Sequence, residues 1–254
     1  MATHPRSAPL RAAVRENADI ESSADQYASR FTGPVGRWFL HVQTRLTLDA
    51  LAGLPAGAKV LDVGGGHAQV APPLLEAGYA VTVVGSDPCC GHRLEPWTST
   101  GQCRFDVADL LDLPYEDRSF DAVICYRLLA HSINWTRLVK ELCRVAAHRV
   151  VADYPAKRSV NIISRRLFDM KRSIEGVTTR RFSLYDRQEM ADAFASAGFR
   201  IAAEQPQFLM PMVLYRLAGS ARFARLAEWP ARRVGLTRLL GSPVIVRADR
   251  QASA

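Results

Sequence analysis

The chain has 254 residues, 48% of them hydrophobic, which is enough for one large domain with a full core. No apolar run approaches the roughly 18 residues of a membrane-spanning helix, and residues 1–15 lack the apolar stretch of a secretory signal, so neither a span nor export is expected, and the cytoplasm is the expected location. The net charge of +8 is unevenly placed: residues 156–254 hold 18 Lys/Arg against 8 Asp/Glu, whereas residues 1–155 are slightly acidic.

A basic C-terminal part has two readings. It is either a surface facing an anionic partner (a membrane, a nucleic acid or an acidic substrate) or an ordinary solvated Arg-rich face. The five cysteines, Cys89, Cys90, Cys103, Cys125 and Cys143, are odd in number and contain no CxxC pair. That argues against a disulfide framework and against a zinc site, so reduced thiols and no bound metal are expected.

Residues 1–20 read as a disordered tail and 21–254 as one domain. After Tyr27 to Phe31, Thr32 or Gly33 caps a helix with Pro34 in its first turn, and Val35, Trp38, Phe39, Val42 and Leu46 give it one apolar face. Lys59 to Val63 is the first strand; it runs into Gly64-Gly65-Gly66, and Gln69 to Ala77 reads as the helix after it. Pro72-Pro73 makes that helix either start late or kink. Ala80 to Val84 is the second strand, leading to Gly85-Ser86-Asp87-Pro88, and Cys103 to Asp106 is a short third one. Ser119 to Cys125 has the continuous apolar run of a central parallel strand. A helix over 134–145 and a fifth strand over 149–154 follow.

Beyond Pro155, a basic helix is expected over 159–171. Another is capped by Ser183, with Met190 and Phe194 inward and Gly198 at its left-handed end. The sixth strand spans 200–203 and the seventh 243–247. The roughly forty residues between them interleave Phe223, Leu226, Trp229, Leu236 and Leu239 with arginines. This pattern describes either an interfacial amphipathic segment or helices covering a pocket.

Strand, glycine turn and helix form the opening unit of an open α/β sheet, where ligands bind at the strand ends. A dinucleotide fingerprint needs G-x-G-x-x-G or A, and here the last position is Gln69. Asp62, two residues before Gly64, would repel a pyrophosphate but suits an ammonium. S-adenosylmethionine (SAM) carries such a group and no phosphate. The stretch 62–68 resembles the D/E-x-G-x-G-x-G motif of the class I SAM-dependent methyltransferases, departing from it at Ala68 in place of the third glycine. His67 also replaces a usually small polar residue.

Three later segments resemble the same family. Asp87 follows the second strand, where a carboxylate reads the ribose, although the family's acid usually stands where Gly85 is. Asp109 to Tyr115 resembles D-x-x-x-L-P-F, which implies adenine contacts from Asp109 and the Leu110 amide; a turn-capping Asp109 is the structural alternative. Phe120-Asp121-Ala122-Val123 matches the family's fourth strand. The resemblance covers about 58–155 closely, as a cofactor core, and leaves 156–240 as a basic helical acceptor or cap region.

The fold this resemblance implies is a doubly wound, Rossmann-like sheet of seven strands, parallel except strand 7, with a helical insertion before that strand. Tyr126, at the end of the fourth strand, is a candidate cofactor contact. His131 is a candidate catalytic base or a pocket-shaping histidine. Tyr27 and Arg30 are candidate lid residues. The implied function is SAM-dependent O- or C-methylation of a small, lipophilic acceptor, as in ubiquinone/menaquinone-type methylases, with peripheral membrane contact through the insertion. An RNA or protein methyltransferase using the basic half, or a silent SAM-binding module, are the alternatives; nucleic acid is the less expected partner, since no motif for its methylation is visible.

Overall fold

The structure, a computed structural model, describes residues 17–159 and 182–252. Strands β1 (Lys59–Val63), β2 (Ala80–Gly85), β3 (Cys103–Val107), β4 (Phe120–Cys125) and β5 (Ala146–Tyr154) pair in parallel in the order β3-β2-β1-β4-β5. Beyond β5 lies β7 (Val244–Arg250), antiparallel to β5 and to the edge strand β6 (Phe199–Pro206). The seven-stranded sheet with one reversed strand is the expected one. Its switch point falls between β1 and β4, so the crevice opens at their carboxyl ends.

Helices cover both faces. On one face, α6 (Trp135–Val145) and α7 (Arg187–Ser196) bury Leu138, Leu142, Met190 and Phe194 against Leu61, Val63 and Val123. On the other, α3 (Gly33–Leu51) and α4 (Ala71–Glu76) pack on Val60, Val81, Val83 and Ile124. In α3, Pro34 sits in the first turn, and Val35, Trp38, Phe39, Val42 and Leu46 are all buried as their spacing requires.

The helix after the glycines starts late, one of the two readings that Pro72-Pro73 left open: Gly65–His67 forms a 3-10 turn and α4 begins at Ala71. Pro72 and Pro73 then occupy its first turn, where a missing N–H breaks no helical bond. Other local expectations need correction. Ser183 does not cap α7. Asp186 does, in a reciprocal capping box with Glu189, while the Ser183 and Tyr185 amides bond to the Ala130 and Pro155 carbonyls. The tail does not extend to residue 20, since α1 (Ala18–Ser23) buries Ala18 and Asp19. The basic helix expected over 159–171 falls outside the described residues, apart from Ser159.

The insertion forms α8 (Met212–Ala218), α9 (Ala221–Arg233) and α10 (Leu236–Leu240). It is anchored to α3 by an aromatic cluster, in which the Phe208 ring lies 5.0 Å from Trp38 and 4.9 Å from Phe39. A polar keystone fixes its internal shape. Glu228, 2% exposed, accepts from the Tyr215 hydroxyl, the Leu209 amide and the Thr237 hydroxyl. Three donors from separate segments converging on one buried carboxylate select a single arrangement of these short helices.

Candidate active site

The glycine turn at the end of β1 is shaped by its backbone. Gly64 is left-handed at φ +73°, its amide donates to the Val84 carbonyl at 2.8 Å, and a Cβ there would press on Leu128. Ala68, at the family's third glycine position, is also left-handed at φ +53°. An alanine in that conformation is strained by about 1 kcal/mol, so the packed surroundings, rather than its own preference, hold the turn.

Asp62 reaches into this turn and is completely buried, with neither carboxylate oxygen hydrogen-bonded among the described residues. Burial pushes its pKa up to about 7, opposed by the Arg127 charge. His67 is buried beside it. Burial, then the charges of Arg127 and Arg93, hold its pKa well below the usual range, so the ring is neutral. Its Nδ1 accepts from the Gln69 amide at 3.1 Å, which places the proton on Nε2, and Nε2 has no partner among the described residues. An unpaired buried carboxylate and an unpaired buried N–H are complementary to a ligand bearing an ammonium and an acceptor oxygen. The amino-acid end of SAM has both.

The cradle is closed by α1. A Cβ on Gly66 would overlap the Ser23 hydroxyl and the Cys90 carbonyl, and one on Gly65 would overlap the Asp62 carboxylate. Asp19 of α1 is buried at the end of β2, where its two oxygens accept from the Ser86 amide and hydroxyl at 2.6 Å each. No local signal in the sequence marks Asp19, because its partner lies 67 positions later.

The other sequence candidates divide. Asp87 stands just past β2 and accepts from the Cys89 amide at 2.9 Å, capping a 3-10 turn at Pro88–Leu94. Asp109 likewise accepts from the Leu111 amide at 2.9 Å, and the Leu110 side chain is core. Asp87 lies past the end of β2 and Asp109 past the end of β3, each bound into its own turn. Tyr126 is taken up by the core. It is 1% exposed, belongs to the cluster under α3 and shares a 2.7 Å hydrogen bond with the Thr47 hydroxyl. Residues alternate sides along a strand, and the alternation carries Tyr126, like Ala122 and Ile124, to the face under α3 and α4.

His131 lines a separate cavity of about 280 Å³, together with Tyr27, Arg30, Phe31, Arg127 and Arg216. Its ring lies 5.6 Å from that of Phe182. Arg127 joins the cavity to the cradle. It is left-handed at φ +65°, its amide donates to Asp153 at 2.6 Å, and its guanidinium bonds to the amide oxygens of Gln69 and Gln43. Asp153, on the cavity wall at the end of β5, is pushed up to about 6 by burial, against the Arg127 amide and charge.

The methyltransferase domain family matches residues 38–204, more than half of the chain. The chain belongs to that family. The methyl donor of this methyltransferase family is SAM. A demethylmenaquinone methyltransferase of Deinococcus radiodurans is 33% identical over 118 residues, 44% of this chain and 48% of the relative. A ubiquinone biosynthesis O-methyltransferase of Xanthomonas oryzae pv. oryzae is 30% identical over 129 residues, 46% of this chain and 54% of the relative. The chain thus spans about half the length of the curated relatives it matches. The crystal structure of magnesium protoporphyrin IX methyltransferase from Synechocystis PCC 6803 with bound SAH shares the fold at TM-score 0.60. It is 17% identical, and the match covers 91% of this chain and 98% of that one.

Two expectations for this methyltransferase-domain protein separate structural from binding roles. Tyr126→Phe should lower stability by about 1 kcal/mol in denaturant unfolding and leave SAM affinity unchanged, because its hydroxyl serves Thr47; a loss of SAM affinity at unchanged stability would return Tyr126 to the cofactor. Asp62 and Asp153 both have raised pKa values, so the folded chain keeps protons that the unfolded chain has released. Their contribution to the stability of the ligand-free protein should therefore fall as pH rises from about 4 to about 7, while the buried neutral His67 contributes the opposite slope below its ordinary pKa. Unfolding midpoints of the native chain and of Asp62→Asn across that window separate the two, and an Asp62→Asn variant whose pH dependence matches the native chain's would contradict the buried, unpaired state of Asp62.

Proposed function

We propose that the chain transfers the methyl group of SAM to a small acceptor seated in the cavity beside His131. The buried, unpaired Asp62 carboxylate carries this reading. In it, Asp62 holds the ammonium of the methionine end and the His67 Nε2–H meets its carboxylate. Gly64, Gly65 and Gly66 supply a turn free of side chains. Asp109 and the Leu110 amide face the adenine, and Asp87 and Asp19 flank the ribose end. When bound, SAM supplies an activated methyl on a sulfonium, so the protein's task is alignment and exclusion of water. Arg127, bonded to both the glycine-turn side (Gln69) and the α3 side (Gln43), fixes the boundary between the two sites. His131 stands on the acceptor side, where a base takes the proton of an acceptor hydroxyl or acidic carbon.

The cavity volume of about 280 Å³ is at the small end for ligand sites and fits one ring system, not a long isoprenoid chain. A lipophilic tail would have to run outside, and the insertion offers such a surface. Leu217, Leu226, Trp229 and Leu239 are each at least 60% exposed, among the exposed arginines Arg222, Arg225, Arg233 and Arg238. Apolar anchors with a cationic fringe suit an anionic membrane surface. Among the described residues, no helix is long and apolar enough to cross a membrane.

Incubation with SAM carrying a radiolabelled methyl and a host-cell extract should put label into the lipid or small-molecule fraction. Label confined to RNA or protein would replace the acceptor class, and SAM binding with no label in any fraction would favour a silent module. Vesicles containing about one third phosphatidylserine should co-sediment the protein, less so as salt rises, since each basic residue near the surface adds about 1 kcal/mol. Protein left wholly in the supernatant at low salt would remove the membrane reading.

A further inference from the structure

The acceptor cavity has an unusual charge arrangement. Three guanidiniums, from Arg30, Arg127 and Arg216, reach it from three different elements. They lie over its aromatic rings at cation–π distance. Arg30 lies 4.9 Å from the Tyr27 centroid, Arg127 lies 4.5 Å from that of Phe31, and Arg216 lies 5.8 Å from Phe31 and 5.7 Å from Phe39. Such contacts do not use the hydrogen-bonding N–H groups of a guanidinium, which in Arg30 and Arg216 have no hydrogen-bond partner among the described residues.

Like charges gathered in this way repel. Burial, and then the charges of Arg30 and Arg127, push the Arg216 pKa down from its ordinary value. Arg127 is bonded to neutral amide oxygens and feels the charges of Asp153 and Asp62 without an ion pair. Among the described residues, neither Arg30 nor Arg216 has a carboxylate within ion-pair distance. Asp153 on the cavity wall is engaged by the Arg127 backbone amide. The positive charge that Arg30 and Arg216 leave at the cavity suits an anionic ligand.

We propose that the acceptor is an anion: an aromatic or similarly flat apolar body carrying a carboxylate or phosphate, its charge held by Arg216 and Arg30 and its ring against Tyr27 and Phe31. The assignment rests on the methyl-transfer reading for the word acceptor, but the anion site stands on the arginines alone. Arginine is suited to the task because its planar fork bonds a carboxylate or phosphate in two places at once.

The test is calorimetric titration of the full chain with 3,4-dihydroxybenzoate, catechol and phenyl phosphate, without any requirement for turnover. The benzoate, the phosphate or both should bind at least about tenfold more tightly than catechol, as expected for a charge-assisted pair. Whichever anion binds better identifies the acidic group. Arg216→Gln should remove the advantage and Arg216→Lys should restore part of it, with SAH binding in each variant reporting that the fold is intact. Equal binding of catechol and the anions, no binding of any anion, or an advantage that survives in Arg216→Gln would overturn the proposal. A failure of SAH to bind the unsubstituted chain, with the anion preference intact, would instead count against the methyl-transfer reading.

Discussion

A carboxyl group buried without a hydrogen bond is among the least favourable features a fold can contain, and among the described residues Asp62 is such a group at the centre of this one. Its position is set by the most rigid part of the molecule. β1 is flanked on both sides by parallel strands and pairs with β2 over its whole length. Packing of Val60, Leu61 and Val63 on opposite faces prevents Asp62 from turning to solvent. The Gly64 turn then folds back over the carboxylate, aided by the strained Ala68. Sheet, turn and strain together fix a buried carboxyl group without a hydrogen-bond partner among the described residues at the sheet's switch point.

Arg127 extends the same constraint to the second site. Its left-handed backbone at the end of β4 brings its amide to Asp153 and its side chain to Gln43 and Gln69. Strand, helix and glycine turn are thereby tied at one residue. The cavity beside His131 inherits a cation from the arrangement that holds the cradle, so cavity and cradle are coupled through one side chain.

The sheet was legible because its signals are local and repetitive. Continuous apolar runs such as Val123 to Cys125 and the glycines after Val63 mark central strands and their turn regardless of what packs on them. Features decided between distant segments were not legible. Asp19 gains its meaning from Ser86, and Glu228 from Tyr215, Thr237 and the Leu209 amide. Ser183 was a plausible cap by composition, but strand-like pairing to Pro155 took up the neighbouring backbone, and the Asp186–Glu189 pair supplied a stronger start. For Tyr126 the place at a strand end was legible, but the side of the sheet that carries it to Thr47 was not. His67, visible only as a departure from a motif, became a neutral donor once burial was known.

The cover that α1 lays over the glycine turn bears on how the molecule is handled. By composition, the first twenty residues look dispensable. A chain trimmed at that boundary would begin at Glu21 and lose Asp19, so the Ser86 amide and hydroxyl would lose their carboxylate acceptor. Ser23 would then sit on a helix with its first turn removed. Any bulky tag fused close before Asn17 would press on the same place. The N-terminal edge of this protein packs over the glycine turn, and preparations differing only there should not be treated as the same molecule.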